Sequence, residues 1–401
     1  MRTIRTLVLL CTTTALPGLA LGVLVVIPTA HAPTQPESQE DASRPDEIAQ
    51  AIERGVRLLI EMQEGKTEAE WPYEGVYRVH GEIPIGYRVG GSGIAALALL
   101  QARGYPDDER RQQAVSRATE FIVHSVDHPL MAHQFEARYD VRGWGYTYGL
   151  TYLLALRKLH YMPDGLEEDI GHAIRFFIDG LEATAIPERG GWNYSRPAGF
   201  NNPARQAPFM TGPSLQALFE AAQQGYEVDP EIVEAGLNAL QRARTPTGSF
   251  VYAGDQGDSS KMPVPGSVGR MLVAEVTLYL AGRSTIERIR GAIDAFVVHW
   301  RWLDDRRAKR GTHALPYGIA PYYFHFAHYY AAQAVELLPE HDRGEYRRRI
   351  NELLFSVRLD DGSWNDRVFA RSANYGTSMA MLALLMPNAS SPARWSVEAA
   401  P

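Results

Sequence analysis

Residues 91–100 read GSGIAALALL. Beyond its small opening residues the stretch is apolar on every side of a helical projection, and such a helix needs neighbours all round. Comparable stretches are LTYLLALRKL from Leu150, MLVAEVTLYLA from Met271 and MAMLALLM from Met379. The full set begins near Ser92, Tyr148, Pro213, Ser267, Tyr322 and Tyr375, at intervals of 53 to 65 residues. A fixed period of this length makes a repeat architecture the first reading.

A second kind of helix alternates with the first. IAQAIERGVRLLIEMQ from Ile48, RRQQAVSRATEFIVHSV from Arg110 and EYRRRINELLFSV from Glu345 place apolar residues three and four apart and charge elsewhere. That pattern is one dry face and one wet face. Asp229-Pro230 and Ser284-Thr285-Ile286-Glu287 supply helix-start signals, a capping residue ahead of proline and a capping box. The amphipathic helices therefore form an outer layer and the apolar ones an inner layer. Six of each, without polar end caps, predict a closed all-α (α/α)6 toroid over residues 46–387.

The connections are unequal. Inner-to-outer turns are short, such as GYPDD at 104–108 and AGRS at 281–284. Outer-to-inner loops are long, roughly 64–91, 126–145, 184–212, 244–266, 303–320 and 359–373. In a ring all the long loops share one face, and that face is where function is expected.

The 401-residue chain carries a net charge of −7 and one cysteine, Cys11. The charge argues against nucleic acid as a partner. A chain whose only cysteine lies in the leader has no structural disulfide, thiolate metal site or cysteine nucleophile in its folded part. Arg2, Arg5, the apolar run 7–27 and Ala30-His31-Ala32 follow the pattern of a secretory signal. The run is also about as long as the ~20 residues that span a bilayer. Residues 1–32 are thus expected to be a signal peptide or membrane anchor, the only membrane contact, and the protein to be exported. Proline-rich 33–45 is expected to be a flexible tether and 388–401 a disordered tail.

Aromatics recur on glycine turns: RGWGYTYG at 142–149, RGGWNY at 189–194, TGSFVY at 247–252 and DGSWND at 361–366. These stretches, with GSGIAALALL and the spacing between them, resemble the prenyltransferase and squalene-oxidase repeat proteins, which include squalene–hopene and other terpenoid cyclases. The resemblance covers about residues 46–387. It implies the α/α toroid and implies that Trp192, Phe250 and Trp364 are structural wedges between repeats. The cyclase acid motif D-x-D-D is absent: Trp302 and Arg358 stand where its first aspartate would precede Asp304-Asp305 and Asp360-Asp361. The zinc set of the protein prenyltransferases needs a cysteine, and the thioester Cys-Gly-Glu-Gln of complement-type toroids is missing too. The resemblance therefore implies the fold, and the activity does not follow from it.

Several residues carry candidate chemistry. PYGIAPYYFHFAHYYAA, 316–332, puts His325 and Tyr329 four apart on one helix face, as a proton-transfer pair or as a buried aromatic helix. YAGDQGDSS, 252–260, offers Asp255 and Asp258, as an acid–base or cation pair or as turn formers. Arg371, Asn374 and Tyr375 sit at a helix start, as an anion site or equally as a capping segment. Tyr87, Trp144, Tyr146, Tyr194, Tyr317, Tyr322 and Tyr323 complete the candidate ligand wall. No zinc-binding spacing occurs among the histidines, so neither metal nor cofactor is expected. The reading is an exported toroid that binds an apolar or isoprenoid-like small molecule without cyclase chemistry. A carbohydrate-active toroid, glycosidase or polysaccharide lyase, and a non-catalytic interaction module are the alternatives.

Overall fold

The computed structural model describes residues 40–396 apart from 76, 135–139, 200, 258–262, 308–312, 314 and 367–368. Pro45–Pro401 forms one compact unit and Met1–Arg44 another, of which the described part is the first turn of α1. Asp258 and the apolar run 7–27 lie outside the described residues. No described helix is long and apolar enough to cross a membrane.

Twelve α-helices and no strand occur among the described residues. The inner helices are α2 (Ile85–Gln101), α4 (Arg142–Lys158), α6 (Pro208–Gln223), α8 (Val264–Leu280), α10 (Tyr323–Glu336) and α12 (Ala373–Leu385). The outer ones are α1 (Glu40–Glu61), α3 (Glu109–His124), α5 (Glu167–Thr184), α7 (Pro230–Ala243), α9 (Ile286–Arg307) and α11 (Glu340–Phe355). Each inner helix packs on the next, and α12 packs back on α2, so the ring is closed. Burial follows composition: α12 is buried along nearly its whole length, whereas α11 buries only Ile350 and Leu354. Six hydrophobic helices thus become one another's solvent-free environment.

The seam between the last and first repeats is specific. Asn374 donates its side-chain amide to Pro72 O at 3.0 Å. Arg54 donates to Asp361 O at 2.9 Å, and Arg371 pairs with Glu64 at 3.0 Å.

Three sequence expectations change. Inner helices α2, α4, α6 and α8 begin several residues before their expected starts, because glycine-rich turns such as IGYRVGGSG are helical. A Cβ at Gly86 would collide with the Val141 carbonyl across the α2–α4 contact, so these glycines permit close helix packing and do not end the helix. Trp144 accordingly stands on α4 and not on a glycine turn. The helix α1 begins at Glu40, inside the stretch expected to be a tether. Finally, part of the expected disordered tail lies against the ring. Trp395 is buried, stacks on Phe219 at 5.6 Å, donates its indole N–H to Glu234 at 3.2 Å and its backbone N–H to Leu280 O at 3.1 Å. A large aromatic near a chain end can hold that end down by its apolar area alone.

Candidate functional site

The long loops are numbered here by repeat: loop 1, 62–84; loop 2, 125–141; loop 3, 185–207; loop 4, 244–263; loop 5, 308–322; loop 6, 356–372. Four of them are built alike. In each, a buried aromatic follows a turn and lodges between layers: Trp71, Trp192, Phe250 and Trp364. The backbone N–H of each donates to an inner-helix hydroxyl, from Ser92, Thr211, Ser267 and Thr377 respectively, at 2.7–3.1 Å. The three indoles donate to carbonyls near the C-terminal ends of outer helices, those of Leu59, Leu181 and Leu354, at 2.6–2.9 Å. Each indole thereby gives a donor to a helix-end carbonyl that has no i+4 partner within its helix. Gly190 and Gly191, at φ of 75° and 76°, give the turn that delivers Trp192. Gly91 and Gly376 leave room for the carbonyls of Trp71 and Trp364.

Beyond each anchor the chain forms no helix. Two residues on, the side chain enters a common cavity: Tyr73, Tyr194, Tyr252 and Asp366. The cavity has a volume of about 330 Å³, within the range of small-molecule sites. Its walls include Tyr87, Trp144 and Phe209 from inner helices, Glu74 from loop 1, His313 and Tyr322 from loop 5 and Phe369 from loop 6. Trp144 stacks on Phe209 with centroids 5.5 Å apart, and Phe209 meets Tyr322 at 5.0 Å.

Polar groups divide between opposite walls. In a ring of six, loop 1 faces loop 4 and loop 6 faces loop 3. Glu74 and the buried Asp366 therefore stand on one side. Glu74 is already bound by Arg78 at 2.7 Å and lies 3.6 Å from Arg371. On the other side the hydroxyls of Tyr194, Tyr252 and Tyr322 meet. Tyr194 and Tyr252 are in direct hydrogen-bond contact, and Tyr322 is 3.3 and 3.4 Å from them. Burial first, then neighbouring phenols, push the Tyr194 and Tyr322 hydroxyls well above the usual phenol range, so both stay protonated. The ring of His313 lies 4.7 Å from that of Tyr252. Its Nδ1 is 3.0 Å from Gly318 O. Burial, with Arg270 and Arg306 nearby, holds the His313 imidazole below its ordinary value, against the Gly318 bond.

Of the sequence-derived candidates, Tyr87, Trp144, Tyr194 and Tyr322 line the cavity. Tyr375 and Tyr323 lie behind it: Tyr375 packs on Tyr73 at 4.7 Å and Tyr323 on Tyr322 at 4.6 Å. Tyr146 is turned away, with its hydroxyl on Met131 O. Tyr317 packs edge-on to Trp302, outside the cavity. Arg371 is a surface ion-pair residue on Glu64. Asp255 is engaged by Arg242 at 3.2 Å, which suits a turn more than a reactive acid.

His325 and Tyr329 do not form a pair. Both ring nitrogens of His325 lack a hydrogen bond of ordinary geometry, although an Asn365 backbone group is near enough to act weakly on its charge. Burial and the neighbouring His328 push its pKa well down, so it is a neutral core residue. Tyr329, raised to about 12 by burial, lines a second cavity of about 140 Å³ at the opposite face. Tyr73, Glu74, Phe209, Tyr252, His313, Asp366 and Phe369 were not among the candidates. The signal that finds three of them is the position two residues after each anchoring aromatic. Among the described residues no group of three His, Cys, Asp or Glu side chains could hold a metal ion.

No family model and no curated protein matches the sequence. Solved structures do. An unsaturated glucuronyl hydrolase from Streptococcus agalactiae is similar at a TM-score of 0.56 and 14% identity, over 91% of this chain and 99% of that one. An inactive α-1,6-mannanase from Salegentibacter, solved with α-1,6-mannotriose, gives 0.55 and 12%, over 84% and 99%. A type II terpene cyclase from Scytonema, in complex with geranylgeranyl dihydroxybenzoate, gives 0.51 and 10%, over 86% and 98%. The chain is an α/α toroid. At these identities the shared toroid says nothing about chemistry, since its bearers include both glycoside hydrolases and terpene cyclases.

Proposed function

We propose that the protein is exported and that its toroid binds an apolar, isoprenoid-like ligand in the loop-face cavity without cyclising it. The observation that carries this is the wall itself, to which Tyr73, Tyr87, Trp144, Tyr194, Phe209, Tyr252, Tyr322 and Phe369 contribute. Aromatic faces supply large, rigid apolar area at little conformational cost. Polar atoms are few and grouped on two sides, as expected of a site that orients a mostly apolar molecule.

A glycan is the second reading. It is favoured by the two carboxylates, Glu74 and Asp366, brought to one wall by adjacent repeats. Native mass spectrometry of the full chain, offered geranylgeraniol and α-1,6-mannotriose separately, separates the two. Retention of the isoprenoid and not the trisaccharide is expected; the reverse overturns the proposal. Export is tested by fractionation, where intact soluble chain in the cytoplasm would refute it.

A further inference from the structure

Arg270, on α8, is 1% exposed. Its Nε donates to the carbonyls of Phe250 and Val251, both at 3.0 Å, and its Nη1 to Gly266 O at 2.8 Å. Nη2 has no partner. The one acid of α8, Glu275, is held by Arg244 at 2.6 Å and by Ser284. No described carboxylate pairs with Arg270, so its charge is buried against dipoles alone. A buried cation without a counter-ion is an unfavourable arrangement in an otherwise well-packed core.

That charge lies directly behind the tyrosine wall. The guanidinium carbon is 5.8 Å from the centre of the Tyr252 ring and 5.9 Å from that of Tyr323. The buried Tyr323 hydroxyl makes no hydrogen bond of ordinary geometry, although Arg270 and Tyr322 are near enough to act on it. In front of them stand the three phenols, two of them held protonated, and thus able to donate. The acids Glu74 and Asp366 are on the far side of the ring. One wall therefore carries donors backed by positive charge, and the opposite wall carries carboxylates.

We infer that the wall formed by Tyr194, Tyr252 and Tyr322, backed by Arg270, receives a carboxylate headgroup on the ligand, whose apolar body lies on Trp144 and Phe209. This rests on the reading of the cavity as a site for an apolar ligand. The carboxylate accepts phenol hydrogen bonds, which are strengthened by its charge. It also supplies the counter-charge that Arg270 lacks. Opposite, Glu74 is already paired with Arg78, and Asp366 disfavours a second carboxylate beside it, which directs the headgroup to the phenol wall.

The test compares farnesoic acid with farnesol, which share a chain and differ in the headgroup. Binding to the full-length protein is followed at pH 8 by tryptophan fluorescence and by calorimetry. The acid is expected to bind about tenfold more tightly, one charge-assisted hydrogen bond's worth. Arg270→Gln should abolish that preference. Because Arg270 also holds loop carbonyls, Tyr252→Phe serves as the second variant and should narrow the preference with an unchanged melting midpoint. Equal binding of acid and alcohol by the parent overturns the inference and leaves the apolar site standing. So does a folded Arg270→Gln that keeps the full preference. Binding of neither molecule overturns the cavity reading, and this inference with it.

Discussion

Trp364 and Asp366 are two residues apart and serve opposite sides of the same wall. The indole is fully buried and donates to Leu354 O at 2.9 Å, while the carboxylate lines the central cavity. The same division holds for Trp71 with Tyr73, Trp192 with Tyr194 and Phe250 with Tyr252. One residue braces the repeat, and the next but one lines the cavity.

Bracing residues and cavity residues should therefore separate experimentally. Trp192→Ala and Trp364→Ala should each cost roughly 3–5 kcal/mol of stability, as large buried aromatics do. Trp192→Phe should cost about 1 kcal/mol, the worth of the lost indole hydrogen bond. Denaturant midpoints measure both. An unchanged midpoint in Trp192→Ala, with a ligand lost, would show that the side chain belongs to the site and not to the frame.

Gly91 and Gly376 test the close approach of inner helix to anchor. A methyl group at either would meet the backbone carbonyl of Trp71 or Trp364, which cannot move freely. Alanine at each should destabilise by about 1–3 kcal/mol, the usual effect of overpacking. Gly344, on the exposed side of α11, has open space around it. Its alanine variant should melt no lower than the parent.

Acid sensitivity should come from α10. His328 Nδ1 lies 2.8 Å from Phe324 O, and its Nε2 accepts from the Trp300 indole at 2.9 Å. That arrangement suits the neutral ring. Burial lowers its pKa from 6.5 to about 4, and His325 moves the same way. The unfolded chain then takes up protons that the folded chain refuses. Stability should fall as pH drops from 6.5 towards 4, by up to about 1.4 kcal/mol per pH unit for each histidine. Melting midpoints of the parent and of His328→Gln between pH 7 and 5 provide the comparison. The parent should lose more than the variant, and equal losses would refute the assignment.

Squalene should not be cyclised. Alkene protonation needs a strong acid aimed into an apolar cavity. Of the acids near that face, Asp255 in loop 4 and Asp304 and Asp305 at the end of α9 have arginine partners, and Asp361 in loop 6 is held low by Ser363. Asp366 lines the cavity and is the acid to test. Gas chromatography of extracts after incubation with squalene should show no cyclic product. A product that vanishes in Asp366→Asn would reverse this and name the acid.

The ring was legible because its information is local and repeated. An all-round apolar stretch such as GSGIAALALL can only be an inner helix, and six of them can only bury one another by closing. The onset of those helices was less legible, because glycine signals a turn locally and close packing globally. The cavity was harder still. Tyr87, Trp144, Tyr194 and Tyr322 stood out as loop-face aromatics. Phe209 reads as ordinary core from sequence, and Tyr73 and Asp366 are brought together only by ring closure. Nothing in the local pattern distinguishes a buried histidine such as His325 from a reactive one; its surroundings do.

The seam between α12 and α2 gives the ring no first or last repeat. Packing of α12 on α2, with the bonds from Asn374 to Pro72 O, Arg54 to Asp361 O and Arg371 to Glu64, joins the repeats across that seam without a covalent link. The order of repeats along the chain is then a matter of gene arrangement, and a circularly permuted gene should encode the same object. A chain opened in the exposed turn at Gly282, with residues 40 and 396 joined by a flexible linker, should assemble the same six pairs around the same cavity.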